Sequence, residues 1–129
     1  MTLDYFRTLC LSLPGATEGL PFGPEVLVFK VEGKMFALCS VDNFVSVNLK
    51  CDPELALELR EQYEAVQPGY HMSKQHWNTV HTRAGLPLPL LVEWTLHSYA
   101  LVRASLPAKT RAPLAAPPTT AEALALVHS

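Results

Sequence analysis

Three strand patterns fill one unbroken stretch from Glu25 to Lys50, and the links between them are too short for anything but antiparallel pairing. Glu25 to Val31 reads E-V-L-V-F-K-V, rich in the β-branched and aromatic residues that suit a pleated surface. Glu32-Gly33 makes a two-residue turn, with Gly33 able to take positive φ. Lys34 to Val41 returns as a second strand, and Asp42-Asn43 turns the chain again. Val45 to Lys50 then alternates strictly. Val45, Val47 and Leu49 fall on one face, and Ser46, Asn48 and Lys50 on the other. That alternation marks a sheet with one buried and one wet face.

Helical patterns flank this meander. Thr2 is an N-cap, and Leu3, Phe6, Leu9, Cys10 and Leu13 follow at helical spacing until Pro14-Gly15 stops them. Leu20 to Pro24 is an irregular lead-in to the first strand. Asp52-Pro53 opens a second helix, with Asp52 as N-cap and Pro53 at the first helical position. Ala65 to His71 and His76 to Arg83 form a hairpin around an M-S-K-Q connection, and a third helix runs from about Pro89 to Ser105. The order α-β-β-β-α-β-β-α predicts an α+β two-layer sandwich, an antiparallel sheet of about five strands with helices packed on one face.

The expected domain spans residues 1–106. From Pro107 to Ser129 the composition turns to Pro and Ala, as in a linker. Within this tail, Thr120 to His128 has the pattern of one short terminal helix, expected to pack on a partner, a neighbouring copy or the domain edge.

The chain has 129 residues, 49% of them hydrophobic, enough for one core. No apolar run reaches the roughly 18 residues of a membrane helix, and the acid in M-T-L-D-Y-F-R is unlike a signal peptide. Three widely spaced cysteines, Cys10, Cys39 and Cys51, form neither a disulfide framework nor a C-x-x-C motif, so a cytoplasmic location is expected.

One further stretch, Pro68 to Val80, concentrates Tyr70, His71, Lys74, His76, Trp77 and Asn78 without an acidic residue. Together with V-L-V-F-K-V-x-G-K-M-F-A-L (Val26 to Leu38) and N-L-K-C-D-P-E-L-A-L-E-L-R-E-Q-Y (Asn48 to Tyr63), P-G-Y-H-M-x-K-x-H-W-N-T-V resembles the MmcQ/YjbR family from about Leu3 to Pro107. The resemblance implies a small cytoplasmic bacterial protein, laid out like secretion chaperones and frataxin-like domains. It also implies DNA binding through two hairpin wings, here the Val31–Lys34 turn and the His71–His76 connection.

Three function classes follow. In the first, DNA is held weakly and without sequence preference by Lys34, Asn48, Lys50, His71, Lys74, His76, Trp77, Asn78 and Arg83. The cations pair with phosphates, the amides reach phosphate or base edges, and Trp77 either stacks on a base or belongs to the core. The net charge of −2 opposes this class. In the second, a protein or peptide is bound at an open sheet edge, as in a secretion chaperone, which needs no basic surface. The third, catalysis, has no nucleophile elbow, phosphate loop or zinc-protease motif to support it, so no enzyme, catalytic residue or cofactor is expected. His71, His76 and His81 lie five residues apart, which puts neighbours on opposite faces of a strand, so no metal site is expected either.

Overall fold

The computed structural model describes residues 1–128. A six-stranded antiparallel sheet carries helices on one face. Its strands are β1 (Ala16–Gly19), β2 (Val26–Val31), β3 (Lys34–Ser40), β4 (Ser46–Lys50), β5 (Val66–Pro68) and β6 (Trp77–His81). The spatial order is β1-β2-β3-β4-β6-β5. The helices are α1 (Leu3–Leu11), α2 (Pro53–Gln62), α3 (Leu88–Ala104), the short α4 (Ala108–Arg111) and α5 (Thr120–His128). The α+β architecture is the expected one with a strand more. β1 carries A-T-E-G, which has no β-branched run, and it is held as a strand by pairing Ala16 with Val31 and Gly19 with Val28.

Local chemistry fixes the boundaries. Thr2 caps α1 by accepting from the Tyr5 amide at 3.1 Å, and Asp52 caps α2 by accepting from the Leu55 amide at 3.2 Å. Glu32 and Gly33 both take positive φ, 47° and 85°, as a type I′ hairpin turn requires. The register shifts once: Phe29 faces Ala37, but Lys30 faces Met35, leaving Phe36 as an extra residue in β3. This bulge turns both Phe36 and Ala37 into the core and leaves Met35 for the opposite face.

The core lies between the sheet and the helices. Phe6, Phe29, Phe36 and Tyr99 are fully buried and meet in a chain of ring contacts, with Phe6–Phe29 and Phe36–Tyr99 edge to face at 5.6 and 5.5 Å. Such pairs add about 1 kcal/mol each beyond their buried area. Ser98 of α3 bridges the layers: its hydroxyl donates to the Phe36 carbonyl and accepts from the Lys50 amide at 2.8 Å.

The Pro/Ala tail is docked on the domain edge. Arg103 donates to the Leu114 carbonyl at 3.1 Å and the Ala115 carbonyl at 2.5 Å, and Leu114 sits over Gly15. Thr119 and Glu122 exchange reciprocal hydrogen bonds at the start of α5, a capping box. α5 then lays Ala123, fully buried, against Leu9 of α1 and Val92 of α3.

Candidate functional site

The face of the sheet away from the helices is where the sequence places most of its binding residues. Ser46, Asn48 and Lys50 do lie there, because Val47 and Leu49 take the core positions of β4. Directly opposed residues of antiparallel strands share a face, so Trp77, Thr79 and His81 join them through the pairs Lys50–Trp77, Asn48–Thr79 and Ser46–His81. The same face carries Val28 and Leu38, a cross-strand pair that is nearly inaccessible. It is therefore apolar in its middle, unlike the polar surface expected from β4 alone.

Residues 20–25 and residues 69–72 stand up as two walls, and between them lies a groove of about 540 Å³. Val26, Met35 and Leu38 form its apolar floor, with Asn48, Ser46 and Ser40 as polar points. Phe22, Tyr70 and Met72 line its sides, with the two aromatic rings 63% and 69% exposed. Exposed aromatic rings beside an apolar floor carry a hydration cost that a bound partner relieves.

The 69–72 wall is held firmly. The Tyr70 amide donates to the Thr79 hydroxyl at 2.9 Å, and that hydroxyl donates to Asn48 Oδ1 at 2.5 Å. With Oδ1 engaged, the Asn48 amino group is the end left to donate into the groove. His71 adopts φ of 58°, a left-handed conformation costly for a residue with a Cβ, and its ring lies 4.0 Å from that of Tyr70. Strain of this kind costs on the order of 1–3 kcal/mol and clusters where a loop is shaped for binding.

Arg60 of α2, absent from the residues singled out in the sequence, anchors the wall from behind. It donates to Asn78 Oδ1 at 2.7 Å, to the Trp77 carbonyl at 3.2 Å and to the Lys74 carbonyl. Asn78 is consequently buried on the helix side of the sheet and faces neither the groove nor solvent. Trp77 is also buried, but on the open face beneath the connection after β5, where Gly69 approaches its Cβ too closely to tolerate a side chain. It stands apart from the main core cluster.

The cations expected to meet phosphate do not converge. Lys34 points to the helix side and donates to the Ser105 carbonyl at 3.5 Å. Lys74 donates to the Gly69 carbonyl at 3.4 Å and lies beside Glu54 of α2 in a shallow depression. Arg83 follows the opposite end of β6, with roughly 17 Å of strand between it and Lys74. Arg7 is paired with Glu18 at 2.7 Å, and Arg111 holds the carbonyls of Ala104 and Leu106. The exposed His76 sits in the connection beside Lys74, and His71 is the one expected histidine that lines the groove.

Among the described residues no group of three His, Cys, Asp or Glu side chains is placed to hold a metal ion. The three cysteines are buried free thiols. Burial pushes Cys39 up to about 12 and Cys10 well above the ordinary thiol range. Burial and then the Asp52 charge push Cys51 up to about 11, so the favourable position ahead of α2 does not produce a thiolate. No helix among the described residues is long and apolar enough to cross a membrane.

Comparison with known proteins matches this architecture to one family. Residues 11–101 fit the model of the YjbR family. YbdF of Escherichia coli is 40% identical over 97 residues, covering 74% of this chain and 80% of that protein. YjbR of Escherichia coli is 38% identical over 88 residues, covering 67% of this chain and 75% of that protein. Among solved structures, Deinococcus radiodurans protein DR2400 superposes with a TM-score of 0.82 at 37% identity, covering 87% of this chain and 86% of that one. A Pseudomonas syringae protein superposes with a TM-score of 0.68 at 26% identity, covering 79% of this chain and 99% of that one. The matched family segment contains both groove walls and ends before the docked tail.

Proposed function

The chain belongs to the YjbR family, and from the geometry of its open sheet face we propose that it is a binding module for a small apolar ligand. The groove between residues 20–25 and 69–72 carries this reading. Its volume of about 540 Å³ falls within the roughly 300–1,000 Å³ of small-molecule sites, and its floor is apolar with a few convergent polar groups. Two methionines, Met35 and Met72, give the lining an adaptable surface. The function assigned is binding, with no reaction. Three buried thiols suit a reducing compartment, and we place the protein in the cytoplasm.

Strand addition at a sheet edge is the less favoured mode. The two edge strands are short, β1 with four residues and β5 with three ending in Pro68, which has no amide hydrogen to offer. Nucleic-acid binding stands second because Lys30, Asn48 and Lys50 share the open face with the exposed ring of Tyr70, on which a base can stack. Against it weighs the engagement of Lys34, Lys74, Arg7, Arg60 and Arg103 in contacts within the protein.

The test is fluorescence titration with phenylnaphthylamine, a neutral apolar probe, against the wild type and the variants Phe22→Ala and Tyr70→Ala. Both rings are largely exposed, so neither variant threatens the fold. Saturable binding weakened several-fold by each variant is the expected result. Absence of binding, or binding indifferent to both variants, overturns the groove reading.

A further inference from the structure

We propose that the groove's natural ligand is an organic anion, with its apolar body on Met35 and Leu38 and its acidic group held between Lys30 and Lys50. This inference rests on the groove reading and adds to it the charge and orientation of the ligand. Lys30 of β2 sits directly across from Met35, which lines the groove, and Lys50 follows Asn48 by two positions along the same face of β4. Only β3 separates them, so their backbones stand roughly 10 Å apart, two strand spacings. Extending the Ala37–Leu49 register by one places Lys50 level with the Phe36 bulge, next to Met35. Two long side chains at that spacing can close on one acidic group from either side.

The surroundings leave this pair without a counter-charge. Neither ammonium group takes part in a hydrogen bond or ion pair among the described residues. The cross-strand neighbours of Lys30 are Thr17 and Met35, and that of Lys50 is Trp77. Glu18 faces the helices and is tied to Arg7, while the Glu32 carboxylate lies against Gly15. Arg7, Lys34, Arg60, Lys74, Arg103 and Arg111 are spent on contacts within the protein, whereas Lys30 and Lys50 are two unengaged cations on one sheet face. The groove's one carboxylate, Glu25, stands at its far end, just before β2 begins, five residues from Lys30. The groove is thus polar along its length, positive at the Met35 end and negative at the Glu25 end. An anion seated with its apolar body toward Phe22 matches that polarity, and the Asn48 amino group supplies a neutral donor midway.

Two probes of nearly the same shape test this. Anilinonaphthalene sulfonate carries the charge, and phenylnaphthylamine lacks it. The wild type is expected to bind the sulfonate about tenfold more tightly, the sum of two partly exposed charge pairs, with the preference falling as salt rises. Lys30→Gln/Lys50→Gln keeps the first half of each stem and removes the charges. It is expected to erase the preference while leaving the neutral probe's affinity unchanged, which also shows that the variant folds. Equal affinity of the wild type for both probes, or a preference that survives in the double variant, overturns the proposal and leaves the groove reading standing. Failure of the neutral probe to bind overturns both.

Discussion

Removing the Arg60 guanidinium should loosen one wall of the groove at a cost that can be worked from its partners. Arg60→Ala takes away the donors to Asn78 Oδ1, the Trp77 carbonyl and the Lys74 carbonyl. These losses are unequal. The Trp77 carbonyl still accepts from the Gly69 amide at 2.9 Å, and the Lys74 carbonyl lies near solvent and can be hydrated. Asn78 is 2% exposed, so its oxygen is left buried without a donor. An orphaned buried acceptor costs about 1–3 kcal/mol, and the lost bonds from a charged donor raise the total to about 2–3 kcal/mol. For a domain of this size that is a fall in Tm of roughly 10 °C. Urea unfolding followed by tryptophan fluorescence gives the free energy, and an unchanged m-value shows that the native state stays compact. The same reasoning sets the response of a double variant. Arg60→Met with Asn78→Leu replaces both partners by apolar groups, so it should recover to within about 1 kcal/mol of wild type. A loss below about 0.5 kcal/mol in Arg60→Ala, or a double variant worse than the single one, would refute the account of Asn78 as a buried acceptor dependent on Arg60.

Other perturbations have equally definite outcomes. Ser98→Ala orphans the Lys50 amide and the Phe36 carbonyl inside the core, and should cost about 3 kcal/mol in urea unfolding. Gly15→Ala places a Cβ 2.8 Å from Leu114 at a φ of 73°, and should cost about 1–2 kcal/mol. Adding Leu114→Ala should restore only part of that loss, since the backbone strain remains. The raised thiols of Cys39, at about 12, and Cys51, at about 11, are protonated at neutral pH, so a thiol reagent should label the native chain only through unfolding. Because these folded-state values lie above the ordinary thiol value of 9.0, their contribution to stability is complete below pH 9 and is lost as pH rises toward 11–12. A urea midpoint that is flat from pH 8 to pH 11 would contradict this.

The meander from Val26 to Lys50 and the capped helices α1 and α2 were legible because each rests on a local pattern. The place where α5 docks, against Leu9 and Val92, is set by long-range contacts and stays open in the sequence among a partner, a neighbouring copy and the domain edge. β1 was not legible either. Ala16–Gly19 has no strand signature of its own and exists only because β2 presents an edge to pair with. The faces were harder still. Strict alternation assigned Ser46, Asn48 and Lys50 correctly, but the Phe36 bulge reverses the parity of β3, so no counting along the sequence predicts that Met35 joins them. Asn78 reads equally as a ligand contact or as a partner for nearby backbone, and its inward place is set by Arg60, seventeen and eighteen positions from its partners Trp77 and Asn78 on β6. Phe22 did leave a signal: a lone aromatic ring between Pro21 and Gly23 has no apolar neighbours to pack with in a local element, and such a ring is a candidate contact.

The most direct measurement is a pair of amide-shift titrations by two-dimensional NMR, one with phenylnaphthylamine and one with a short single-stranded DNA. The neutral probe should shift the amides of Phe22, Met35, Leu38, Asn48 and residues 70–72, which line the groove. DNA should produce little beyond weak changes near Lys30 and Lys50 that vanish with added salt. Strong, salt-dependent shifts from DNA at Lys34, Lys74 and Arg83, with none from the neutral probe in the groove, would contradict the groove reading.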